Sequence, residues 1–145
     1  MQDEWFRSGE GFFIIYAIVE RRTIEEAARL REKVLRIKNK DKVAMVLCGN
    51  KADLEHERQV PASEGKNLAA KWGKYWANNH KNDLHIFAGC PFFETSAKNH
   101  SNITEAFEAL VREVRLFRKT TTVGGVAPAP TGLAGKKGKK RCILF

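Results

Sequence analysis

No apolar run in this chain approaches the 18 or more residues of a membrane-spanning helix. Its opening residues, Met1-Gln2-Asp3-Glu4, lack the basic and apolar regions of a secretory signal, so neither insertion nor export is expected. Cysteine is scarce. Cys48, Cys90 and Cys142 are too widely spaced for a metal cluster and odd in number for a disulfide framework, and read as reduced thiols of an intracellular protein. Acid is missing from one region altogether. Residues 118–145 hold Arg118, Lys119, Lys136, Lys137, Lys139, Lys140 and Arg141 with no Asp or Glu. The formal net charge of +9 is therefore concentrated there, and residues 1–117 are nearly neutral. A nucleic-acid binder would carry its basicity on the folded body, so no nucleic-acid partner is expected.

What is present suffices for one folded unit: 43% of the 145 residues are hydrophobic. Residues 43–48, Val-Ala-Met-Val-Leu-Cys, form a continuous apolar run, the pattern of a parallel strand covered on both faces. It runs directly into Gly49-Asn50-Lys51-Ala52-Asp53. In open α/β sheets, ligands sit outside the carboxyl ends of the strands. A carboxylate placed there offers two acceptor oxygens side by side, matching two adjacent N–H donors on a flat ring. Guanine has such a pair in its N1–H and 2-amino group, and adenine does not. Taken alone, Asn-Lys-x-Asp is equally a solvated turn.

A second apolar stretch, Pro91-Phe92-Phe93-Glu94, ends in Thr95-Ser96-Ala97-Lys98. Together the two stretches resemble the guanine-specificity loops of Ras-subfamily small GTPases. Arg7-Ser-Gly-Glu-Gly-Phe-Phe, Leu54-Glu-His-Glu-Arg-Gln-Val and Ala109-Leu-Val-Arg-Glu-Val-Arg extend the resemblance, in family order, across residues 1–117. It implies an α/β fold, the C-terminal half of a P-loop GTPase domain, with parallel strands and flanking helices. It also implies roles. Asp53 would bind the guanine edge, Lys51 would lie on the ring, and Asn50 would brace the loops. Ser96 would support them, the Ala97 N–H would reach the guanine oxygen, and Lys98 would cover the base and ribose. The ligand would be GTP or GDP, with Mg²⁺ in a complete domain. Exchange factors, GTPase-activating proteins and effectors would be partners.

The rest of the chain reads in order. Residues 1–11 end a helix at a glycine stop, and residues 12–19 form a second buried strand. Thr23 and Glu26 suggest a capping box for a helix whose inner face is Ala27, Leu30, Val34 and Ile37. Pro61 and Ser63 open another, with Leu68, Ala69 and Trp72 inward. Residues 74–89 have no family counterpart and read as a surface insertion with room for a short strand at 84–88; its His80 and His85 are spaced for no shared helix or strand face. Asn102 and Glu105 suggest a second capping box, with Ile103, Phe107, Leu110, Val111 and Val114 inward.

Residues 118–145 read as a flexible tail closing on Cys142-Ile143-Leu144-Phe145. A cysteine followed by two aliphatic residues at a C-terminus is a prenylation box, with subsequent methylation in the family, and Phe145 favours geranylgeranyl. Lys136, Lys137, Lys139, Lys140 and Arg141 would supply the second, electrostatic anchor to an anionic inner leaflet. The expected location is the cytoplasmic face of the plasma membrane, lipid-anchored.

The phosphate half is missing from these residues. G-x-x-x-x-G-K-[ST] occurs nowhere. Asp3, Asp41, Asp53 and Asp83 are followed three positions later by Phe6, Ala44, His56 and Ile86, so Asp-x-x-Gly is absent too. The resemblance thus points to an N-terminally truncated domain with no catalytic residue of its own and residues 12–19 at an open sheet edge. The alternative is a non-catalytic, prenylated, membrane-tethered interaction fragment.

Overall fold

A computed structural model describes residues 2–77, 90–122 and 143–144. Helix α1 (Gln2–Ser8) leads through Gly9 into strand β1 (Gly11–Ala17), followed by α2 (Arg21–Lys38) and β2 (Ala44–Asn50). After a single 3-10 turn at Glu55–Glu57 come α3 (Ala62–Ala77), β3 (Phe92–Glu94), α4 (Ile103–Thr122) and the two-residue β4 (Ile143–Leu144). The strands form one parallel sheet in the order β3-β2-β1-β4. The α/β class and parallel sheet expected from the apolar runs are present.

Period-two alternation divides each central strand between two cores. Phe12, Ile14 and Tyr16 of β1 join Met45 and Leu47 of β2 on the face covered by α1, α2 and α3, with Phe6, Val34 and Trp72. Phe13, Val46 and Cys48 point the other way, onto Ala106, Ala109 and Leu110 of α4. Small residues in α4 let it approach closely. At Gly11 even a Cβ would come 2.7 Å from Val114 Cγ2, so the helix rides directly on the strand backbone.

Four expectations are corrected. Thr23 is not the N-cap: α2 begins at Arg21 behind an extended Glu20 that makes no side-chain cap bond. The Thr23 hydroxyl instead accepts the Ala17 N–H at 2.9 Å and donates to the Glu20 carbonyl at 2.7 Å, tying the helix to the end of β1. Asn102 does precede α4, but in the left-handed region (φ 56°), and its side-chain amide donates to the Glu94 carbonyl at 2.8 Å. Val111 is 42% exposed and Phe107 only half turned inward, 41% exposed with its ring edge-on to Phe13 at 4.7 Å between centroids, because Ala106, Ala109 and Leu110 take the sheet-facing stripe. Finally, β1 is not a bare edge, since β4 pairs with it on the side away from β2. His80, His85 and residues 84–88 lie outside the described residues, as do Lys136, Lys137, Lys139, Lys140, Arg141 and Cys142. The first positions of the 74–89 stretch continue α3, and α4 runs past position 117.

Candidate functional site

The carboxyl ends of β2 and β3 converge, and the loops that follow them are stitched together. Gly49 accepts the Thr95 N–H at 2.8 Å through its carbonyl, and Thr95 accepts the Ala52 N–H at 3.0 Å. These ladder bonds place the turn after β2 against the turn after β3. Side chains then cross between the two. Asn50, the last residue of β2, receives the Ala97 N–H at 3.3 Å and the Thr95 hydroxyl at 3.4 Å on its Oδ1. Lys51 follows in the left-handed region (φ 66°), which turns the chain sharply so that Asp53 comes back toward β3.

Asp53 and Ser96 form the tightest contact of the site. Ser96 Oγ donates to Asp53 Oδ1 at 2.6 Å and accepts the Asn99 N–H at 3.1 Å, so the buried hydroxyl is committed on both sides. The Ser96 backbone exchanges hydrogen bonds with Ser101 at 3.2 and 3.1 Å, closing the loop on itself. The Ser96 hydrogen bond holds the Asp53 carboxyl below its usual range, with Lys98 and Lys51 adding electrostatic support. Asp53 is therefore an ionised acceptor whose Oδ1 is anchored by Ser96. The carboxylate-dependent property exists above the folded-state pKa and is lost as pH falls through it. Ser96→Ala removes the main cause of the depression. The Asp53 carbon-13 carboxyl titration should move upward in that variant, and the acid limit of any base binding should move with it.

Sequence reasoning missed Arg58 and Glu94. The Arg58 guanidinium clasps Glu94 through bonds of 2.7 and 3.0 Å and Glu55 through bonds of 2.8 and 2.6 Å. It also donates to the Val60 carbonyl at 2.9 Å. Both Arg58 and Glu94 side chains are largely covered, at 16% and 23% exposed. The fork fixes the segment after Asp53 to the strand that delivers Ser96, a bidentate geometry that lysine does not reproduce. An acid at position 94, one residue before the small-residue loop, was the available signal.

All six predicted base-site residues thus fall on two adjacent loops. Asn50, Asp53, Ser96 and Ala97 are linked by direct hydrogen bonds, and Lys51 and Lys98 lie close enough to Asp53 to act on its charge. One detail differs from the expected roles, because the Ala97 N–H here donates to Asn50 and a ligand oxygen would have to compete for it. Among the described residues no group of three His, Cys, Asp or Glu side chains converges. These residues do not fit a Mg²⁺ site.

The sequence model of the Ras family matches residues 1–116. A Ras-like protein from Laccaria bicolor is 38% identical over 119 residues, covering 82% of this chain and 49% of that protein. The chain spans about half the length of this curated relative.

Proposed function

The chain belongs to the Ras family, and from that premise we propose that it carries the guanine-reading half of a GTP/GDP switch held at the cytoplasmic face of the plasma membrane. The single observation that carries the reading is the Ser96–Asp53 contact, which presents a fixed, ionised carboxylate at the carboxyl end of a parallel sheet. In this reading Asp53 accepts the N1–H and 2-amino group of guanine. The Lys51 stem lies on the ring, Lys98 covers the base and ribose, and Ala97 offers its N–H to the guanine oxygen. Asn50 and Ser96 position the two loops. Phosphate binding, Mg²⁺ and the chemistry of GTP hydrolysis need groups that these residues do not include. Exchange factors, GTPase-activating proteins and effectors are the partners such a switch would use.

Anchoring is the second part of the proposal. Transfer of a geranylgeranyl group to Cys142 would form a thioether, release diphosphate and leave the thiol proton to solvent. A single lipid gives weak attachment, and the neighbouring Lys136, Lys137, Lys139, Lys140 and Arg141 would each add about 1 kcal/mol at an anionic leaflet. Cys142→Ser should shift the chain from the membrane to the soluble fraction of expressing cells. An unchanged distribution would remove the lipid anchor from the account.

A second reading rests on the tail alone, whose basic run and closing Cys142-Ile143-Leu144-Phe145 make no use of nucleotide. The chain would then act as a non-catalytic, prenylated, membrane-tethered interaction fragment. Nucleotide binding by the purified chain separates the two.

A further inference from the structure

The end of the sheet opposite the guanine loops gathers charge of one sign. There the amino ends of β1 and β2 meet the end of α2 and the C-terminal part of α4 around a groove of about 190 Å³. Among the described residues, its lining holds Lys38, Lys40, Lys42 and Arg118 against one acid, Glu10. The rest of the lining is largely apolar, with Val43, Val114 and Phe117. We propose that this groove binds the phosphate-bearing headgroup of an anionic membrane lipid.

The cations are held in place by the fold. Lys38 Nζ donates to the Arg7 carbonyl at 2.8 Å and lies 6.0 Å from the Phe12 ring centroid. Lys42 Nζ is buried, 5.6 Å from the Phe117 ring centroid. Arg118 pairs with Glu10, so the one acid of the lining is already engaged. Burial and then the neighbouring Lys40 charge lower the Lys38 amine. Burial takes the Lys42 amine down to about 8, with Glu113 opposing from an adjoining cavity. A cation depressed by burial and like charge is one that an incoming anion stabilises. Lysine meets phosphate as a point charge, so the headgroup needs no fixed fork of donors.

The course of α4 favours a lipid over a free anion. Asn102, just before the helix, bonds to the Glu94 carbonyl at the carboxyl end of β3, and Arg118 reaches Glu10 at the amino end of β1. The helix thus crosses the sheet and ends beside the groove. The sequence that follows is the acid-free, basic stretch closing on Cys142. A chain anchored through that stretch brings this end of the body to the leaflet, where headgroups are concentrated. A lining of lysines beside apolar side chains also suits an interface better than bulk water. Headgroup binding here would turn the loops after β2 and β3 away from the bilayer. The membrane source rests on the anchoring reading above; the phosphate chemistry of the groove does not.

Nitrogen-15 amide titration of the unlipidated 145-residue chain tests the site, with short-chain phosphatidylinositol bisphosphate and, separately, inorganic phosphate. The lipid should shift the amides of Lys38, Lys40, Lys42, Phe117 and Arg118, and inorganic phosphate at the same concentration should leave them in place. Lys40→Glu reverses a charge on an exposed side chain and should raise the dissociation constant read at these amides at least about tenfold. Lys42→Met removes one charge and keeps an apolar stem, and should raise it about fivefold. Unmoved amides of Ile14 and Leu47 in both variants show in the same spectra that the core persists. Equal shifts with lipid and inorganic phosphate would overturn the lipid assignment. Shifts confined to residues 136–141, or full affinity in Lys40→Glu, would overturn the groove itself. If Cys142→Ser leaves the distribution in cells unchanged, the anchor is removed, and the titration still decides the groove.

Discussion

Asp53→Asn is expected to abolish guanine selectivity. The carboxylate presents two acceptors to two donors, whereas the amide presents one acceptor and one donor, and its N–H would oppose a guanine N–H. A site built on paired hydrogen bonds rejects a mismatched partner by roughly 10⁴-fold. The ratio of ADP to GDP dissociation constants should fall by about that factor. Xanthine nucleotides, which carry an oxygen in place of the 2-amino group, should gain relative to guanine. The ratio is best read in a domain completed upstream by the phosphate-binding half of a Ras-family relative, so that the weaker complexes remain measurable. Retained GDP preference in the variant would show that Asp53 is not the guanine reader. The fold should survive the change, since Asn can still accept the Ser96 hydroxyl.

The second large effect concerns the chain itself. The 145-residue chain should bind GDP at least about 10⁴-fold more weakly than that completed domain. Charge-assisted hydrogen bonds contribute about 1.5–3 kcal/mol each, so losing four phosphate contacts alone reaches that factor. Base contacts cannot compensate, because they are few and Asp53 shares its carboxylate with Ser96. Calorimetric titration of the purified chain with GDP is the measurement. Tight binding would mean that these residues hold a phosphate site of their own.

The strands and the two loops were legible in sequence for a simple reason. Strands β1 and β2 are continuous apolar runs buried on both faces, and β2 runs in sequence directly to the polar residues that matter. The contacts that pass between distant segments were not legible. Thr23 matches a capping pattern, yet its hydroxyl is used to fasten the end of β1, a tertiary demand that overrides the local one. Phe107 and Val111 fit a helical apolar stripe as well as Ala106 and Ala109 do. The choice was made by how closely α4 rides on Gly11. The Arg58–Glu94 fork joins residues 36 positions apart, and only the pairing of β2 with β3 brings them together. Most hidden of all was β4. Ile143 and Leu144 read as part of a lipidation box, and a dipeptide carries no strand periodicity to reveal its pairing with β1.

The central claim is that the loops after β2 and β3 read guanine. Its most direct test is a nitrogen-15 amide titration of the 145-residue chain with GMP and, separately, AMP. The method detects millimolar binding and assigns it to residues. GMP should shift the amides of Asn50, Lys51, Asp53, Ser96, Ala97 and Lys98, and AMP at the same concentration should leave them in place. Equal shifts with both nucleotides, or none with GMP up to its solubility, would contradict the assignment.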